Sequence, residues 1–186
     1  MAGFLKQIVF LVILLVSWPV NVPVWAAQDA AGNPAVEYKI KAAFLLNFAK
    51  FITWPDQTFA GEEEPFTFCV LGRDPFGTAL TPLQARSVAG HPIRVRYLRE
   101  ATQAGCCQML FVADSEQDHL AERFAELNTM PIVTVSDIPG FADRGGIIEF
   151  VTRQGRLSFR INLAEARKRH LRINASLLNL ATEVIR

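Results

Sequence analysis

The chain opens on an unbroken apolar run over residues 8–16, preceded by Lys6 and closed by Ser17. The run is too short to cross a bilayer as a helix, and Val24-Trp25-Ala26 places small side chains where a signal peptidase cuts. Residues 1–26 therefore read as a signal peptide cleaved after Ala26, residues 27–35 as a flexible segment, and residues 36–186 as one domain. From Asn33-Pro34, a cap followed by a first-turn proline, apolar positions recur at Val36, Ile40, Phe44, Phe48 and Phe51. This spacing predicts a helix with one broad buried face, stopped near Trp54-Pro55 because the residue before a proline leaves the helical region.

The period then shortens. Residues 66–72 form an aromatic and β-branched run ending in glycine, Ile93, Val95 and Tyr97 alternate with Arg94 and Arg96, and residues 108–113 and 131–135 are further apolar runs. A short helix over residues 79–83 and a longer one over 118–127, capped by Ser115, separate them. Strands alternating with helices imply parallel pairing under helical cover. Residues 147–151 and 157–161 flank Arg153-Gln154-Gly155-Arg156, a hairpin signal, and helices over 163–169 and 176–184 close the chain. The expected fold is an α/β three-layer sandwich, Rossmann-like, whose mixed and mostly parallel sheet has about five to six strands and a C-terminal antiparallel hairpin.

Charge removes two classes of partner. The whole chain has 19 Lys and Arg against 18 Asp and Glu, and loss of Lys6 with the leader balances them. A neutral chain without a basic stripe lacks the footprint for nucleic acid or an anionic membrane surface. Its basic cluster, Arg167-Lys168-Arg169-His170, reads as the end of a solvated helix, where cations suit the negative pole. Export gives meaning to Cys69, Cys106 and Cys107, because an oxidising compartment favours one bridge and one spare thiol. A bond between adjacent Cys106 and Cys107 would strain the backbone, so Cys69 pairs with one of those two.

Catalytic patterns are not found. There is no Gly-x-Ser-x-Gly elbow, and His91, His119 and His170 fall in separate segments as surface or capping residues. Neither Cys-x-x-Cys nor His-x-x-x-His occurs, so no metal and no cofactor is expected, and Asp56 with Glu62, Glu63 and Glu64 reads as a solvated loop. Gly72, Asp74 and Phe76 make a strand-to-turn junction of the kind that holds a small ligand on backbone amides; Gly145-Gly146 reads as a bend. Phe44, Phe48, Phe51 and Trp54 read as core, with Trp54 half-buried.

The stretch Tyr38-Lys39-Ile40-Lys41-Ala42-Ala43-Phe44-Leu45-Leu46-Asn47-Phe48-Ala49-Lys50-Phe51-Ile52-Thr53-Trp54-Pro55 resembles the opening helix of the YfiR family. The resemblance continues through Val70-Leu71-Gly72-Arg73-Asp74-Pro75-Phe76-Gly77, Leu110-Phe111-Val112, Thr134-Val135-Ser136-Asp137, Gly140-Phe141-Ala142, Gly145-Gly146-Ile147-Ile148 and Phe159-Arg160-Ile161-Asn162. It implies a periplasmic α/β sandwich, often a homodimer, that represses an inner-membrane diguanylate cyclase by binding its periplasmic sensor region. Such a repressor sets cyclic-di-GMP and biofilm output, and in some systems an outer-membrane lipoprotein sequesters it. The resemblance also implies a Cys69–Cys107 disulfide and leaves Cys106 as an extra thiol. A second pair that some relatives carry in the closing hairpin has no counterpart at Ile148 and Glu149.

The reading is thus a protein-binding regulator and not an enzyme. Its expected partner surface is the closing hairpin and following helix, at Phe159, Glu165, Leu171 and Ile173, where an apolar patch between two helices is rimmed by Glu165, Arg169 and Arg172. The bland reading packs Leu171 and Ile173 beneath the last helix. The alternative function is a small-molecule sensor, built on the turn of Gly72, Asp74 and Phe76, that acts on a membrane kinase.

Overall fold

The computed structural model describes residues 33–61, 63–127 and 130–186, so the expected signal peptide and most of the expected flexible segment over 27–35 lie outside the described residues. Helix α1 (Pro34–Lys50) begins where Asn33 accepts a hydrogen bond from the Ala35 N–H, 3.0 Å away. It ends earlier than the proline rule places it. Phe51 donates to the Phe48 carbonyl in a tight last turn, and the β-branched pair Ile52–Thr53 becomes strand β1. The helix buries Lys41, Ala42, Leu45, Phe48 and Ala49, whereas Ile40 and Phe51, expected on its inner stripe, are 43% and 38% exposed. Trp54 is buried, its indole N–H donating to the Gln108 carbonyl at 3.1 Å.

The remaining elements are β2 (Phe66–Leu71), β3 (Ser87–Val88), β4 (His91–Leu98), β5 (Met109–Val112), α2 (Leu120–Leu127), β6 (Val133–Ser136), β7 (Ile148–Arg153), β8 (Arg156–Asn162), α3 (Leu163–Lys168), β9 (Arg172–Ile173), α4 (Ala175–Leu180) and β10 (Glu183–Ile185). Short 3-10 turns cover Gly77–Ala85, Ala101–Cys106 and Asp114–His119. Eight strands form one mixed sheet in the order β10-β8-β7-β6-β5-β2-β4-β3, and β1 pairs separately with β9. Strands β4, β2, β5, β6 and β7 are mutually parallel; β8 returns antiparallel to β7 through a turn at Gln154-Gly155, both at positive φ.

The expected sheet of five to six strands was too small. The two unforeseen strands lie at its edges: β3 is 2 residues long, and the 3-residue β10 stands where the last helix was expected to continue to Val184. Helix α4 stops at Leu180, and Thr182 then donates from both its amide and its hydroxyl to the Phe159 carbonyl, which lays Glu183–Ile185 alongside β8. The connections from β2 to β4 and from β4 to β5 are 3-10 turns and not the long crossover helices of a regular Rossmann-like sandwich.

Strand alternation feeds two cores. Phe66, Phe68 and Val70 of β2 join the cluster under α1, while Cys69 and Leu71 join the cluster with Ala101, Ala104, Leu120 and Leu127. In the first, Phe48 lies edge-on to Phe159 at 4.9 Å between centroids and tilted on Phe150 at 5.6 Å; each such pair adds about 1 kcal/mol beyond its buried area. Cys69 on β2 is disulfide-bonded to Cys107, just before β5, with Cα atoms 5.9 Å apart, and Cys106 is free and exposed. The basic cluster is not wholly solvated. Helix α3 ends at Lys168, His170 takes a left-handed φ of 58°, and Arg169 turns inward to 3% exposure with Nε and Nη1 unpaired among the described residues. Burial pushes that guanidinium's pKa down. Among the described residues no helix is long and apolar enough to cross a membrane.

Candidate functional site

Parallel strands leave their carboxyl ends facing one side, the usual place for a site in such a sheet. Past the end of β5 comes Asp114, and past β6 comes Asp137; the first turns of α1 lie against both. Between them opens a cleft of about 500 Å³, lined by Glu37, Tyr38, Lys41, Asp114, Asp137 and Glu149 with Phe150 and Leu157 as its apolar wall.

Lys41 sits at the centre, 3% exposed. Its Nζ lies 2.5 Å from Asp137 Oδ2 and 2.6 Å from Glu37 Oε1, and Tyr38 donates its hydroxyl proton to the same Asp137 oxygen at 2.8 Å. A lysine this deep is stable only with such partners, because an unpaired buried ammonium loses its hydration uncompensated. Burial first, and the hydrogen bond to Asp137 second, push the Tyr38 phenol well above its ordinary value. Its proton stays on in the folded chain when the unfolded chain has lost it, so this group's contribution is intact below pH about 10 and falls away as pH rises beyond it. Tyr38→Phe is therefore expected to flatten part of the alkaline decline in stability, read from denaturant midpoints across that range. Burial also raises the Tyr97 phenol, so the variant retains the share due to Tyr97.

Glu149 closes the far wall. It is 4% exposed and accepts from the amides of Gly140 and Ala142, each at 3.0 Å, and from Arg160 Nη1 at 3.1 Å. Arg160 also pairs with Asp143 and Glu183, each 2.7 Å away; the hydrogen bond it gives Asp143 holds that carboxyl below the usual range. The site is thus a set of paired charges that clamps α1 and the Gly140 loop over the strand ends. Segments distant in sequence, from Tyr38-x-x-Lys41 to Asp137 and Glu149, meet here. Helical spacing places Tyr38 and Lys41 on one face, but it cannot reveal a carboxylate 96 residues away.

The expected ligand turn lies beside this cleft and is filled by its own chain. Gly72 ends β2 at φ 90°, where a Cβ would collide with Ser115 Oγ and Glu116. Ser115 accepts from the Arg73 amide at 2.9 Å instead of capping the following helix, and the Asp74 carboxylate takes the amides of Phe76 and Gly77. Phe76 is buried edge-on against Tyr38, with centroids 5.1 Å apart.

The expected partner surface separates into two kinds of residue. Phe159 and Leu171 are buried, so they cannot form an exposed apolar patch: Phe159 is enclosed by Phe44 and Phe48, and Leu171 joins the cluster under α1. Ile173 is partly buried and pairs with Ile52, and Glu165 is half-covered and holds Lys168 at 2.5 Å. Large apolar side chains that do face solvent are Ile40, Phe51, Tyr97 and Leu180. Phe51 adjoins Ile173, because its carbonyl accepts from the Asn174 amide at 2.9 Å.

No curated protein matches the chain. A solved structure of a conserved domain protein from Vibrio cholerae O1 biovar eltor superposes with a TM-score of 0.53 at 11% identity, covering 79% of this chain. This chain spans 60% of that one, and the likeness bears on fold alone. A family model described as YfiR/HmsC-like matches residues 38–182, a span that takes in the Lys41 cleft, the bridge and nearly the whole sheet. The chain belongs to the YfiR/HmsC-like family.

Proposed function

We propose that this protein is an exported regulator that binds and restrains the periplasmic sensor region of an inner-membrane diguanylate cyclase, lowering cyclic-di-GMP and with it biofilm formation. The family match over residues 38–182 carries the reading. It is supported by the sequence pattern of a leader expected to end at Ala26 and by the Cys69–Cys107 bridge, which suits an oxidising compartment. The regulator works as a homodimer and is released from its target when an outer-membrane lipoprotein sequesters it.

The working surface belongs where the β1–β9 pair meets α4. Exposed Phe51 beside Ile173, with exposed Leu180 and with Glu165, supplies the contact, while Phe159 and Leu171 remain in the core cluster under α1. Truncating an anchor weakens binding by about 1 to 3 kcal/mol without loss of fold. Phe51→Ala and Leu180→Ala are expected to do so in calorimetric titration against the purified sensor region of the cognate cyclase, at unchanged melting temperature. Wild-type affinity in the double variant would remove this surface.

A second reading has its own observation: the cleft at Lys41 is large enough for a small metabolite and touches the turn of Gly72, Asp74 and Phe76 through Tyr38. In that reading the chain senses a ligand and acts on a membrane kinase.

A further inference from the structure

We propose that reduction of the Cys69–Cys107 bridge opens a three-thiolate site, formed by Cys69, Cys106 and Cys107, for the soft monovalent cation copper(I). The sulfurs of these residues all lie within 4.8 Å of one another, two of them joined in the bridge, and they form the one cluster of three or more His, Cys, Asp or Glu donors this close together among the described residues. Cys106 and Cys107 are adjacent in sequence, yet the end of the 3-10 turn at Ala101–Cys106 brings their Sγ atoms to 4.0 Å. Metal–thiolate bonds of about 2.3 Å place the corners of a flat three-coordinate site about 4 Å apart. One edge of that triangle thus already exists. The other ligand comes from β2, whose Cys69 Cα is 5.9 Å from that of Cys107, near enough for both sulfurs to reach one ion once the bond between them is broken.

The donor set selects the cation. Sulfur alone favours a soft ion, and three ligands without an imidazole or carboxylate suit copper(I), whereas structural zinc takes four. Arg96 donates from Nη1 to Cys106 Sγ at 2.7 Å. Three thiolates around one monovalent ion leave two negative charges, of which the guanidinium offsets one, and the same hydrogen bond orients the ligand sulfur. Cys106 is exposed and gives the ion an entry path; Cys69 and Cys107 are buried and shield it from water. The chemistry balances with a dithiol as reductant. The dithiol gives two electrons and two protons to the bridge and becomes a disulfide, Cys69 and Cys107 become thiols, and copper(I) then displaces the protons of all three thiols.

The full mature chain, reduced and desalted without oxygen, would be titrated with copper(I) against the chromophoric competitor bicinchoninate. One copper per reduced chain is expected, none of comparable affinity in the oxidised chain, and three sulfur neighbours by X-ray absorption. Cys106→Ser, which leaves the bridge intact, is expected to weaken binding on the order of 100-fold, and Arg96→Ala about ten-fold. Near-ultraviolet circular dichroism of the reduced chain should stay native. The proposal is overturned by wild-type affinity in Cys106→Ser, by two-sulfur coordination, or by loss of the native spectrum on reduction alone.

Discussion

Cys69→Ser is expected to lower the stability of the domain by about 4 kcal/mol. The bridge joins residues 38 apart, and in the chain-entropy description a closed loop of that length removes about that much freedom from the unfolded state. Cys69 is the informative partner to replace. Without Cys107 its sulfur could still reach Cys106, whereas without Cys69 the two remaining cysteines are neighbours whose mutual bond closes no loop. Urea denaturation of Cys69→Ser should show the full loss, and Cys106→Ser, which removes only an exposed thiol, should leave the midpoint unchanged. A small loss in Cys69→Ser would mean that the unfolded chain is already compact in this region.

Breaking the pair between Lys41 and Asp137 comes next, at about 3 kcal/mol for either Lys41→Ala or Asp137→Ala. The lysine variant leaves Asp137 with one hydrogen bond, from Tyr38, and the aspartate variant leaves a buried ammonium facing Glu37, whose side chain is 49% exposed. Most of that cost is the charge left without a partner, so Lys41→Met with Asp137→Leu should be less destabilising than the sum of its single variants. A double-mutant cycle in denaturant measures the coupling directly. Additive losses would show that the two charges are solvated independently and do not clamp α1 to the strand ends.

Sequence pattern revealed most of the sheet because its central strands are long apolar runs with clear ends: Phe66–Leu71, Met109–Val112 and the hairpin of β7 and β8 stand where their residue types put them. Edge strands were hidden. Ser87–Val88 and Glu183–Ile185 are too short to show a period; the first folds back on His91–Pro92 across the turn at Ala89-Gly90, and hydrogen bonds to the sequence-distant β8 decide the second. The end of α1 was misplaced for the same reason, since Ile52–Thr53 is drawn into a pair with Arg172–Ile173 that no local signal announces. The charged cleft was illegible because Asp137, which completes the Lys41 pair, lies in a different segment from the Glu37 and Lys41 of α1. Buried Arg169 shows the limit of reading charge as exposure, since the side chain's position follows from the left-handed turn at His170 and not from its type.

Cyclic-di-GMP can be measured in cells that lack this gene and retain the diguanylate cyclase that the proposed function assigns to it. The full chain, with its leader, and a form starting at Ala27 without it would each be restored at equal abundance. If the protein restrains a periplasmic sensor region as proposed, the exported chain lowers the nucleotide and the leaderless one leaves it high. Levels unchanged by the exported chain, or lowered equally by both, would contradict a periplasmic repressor.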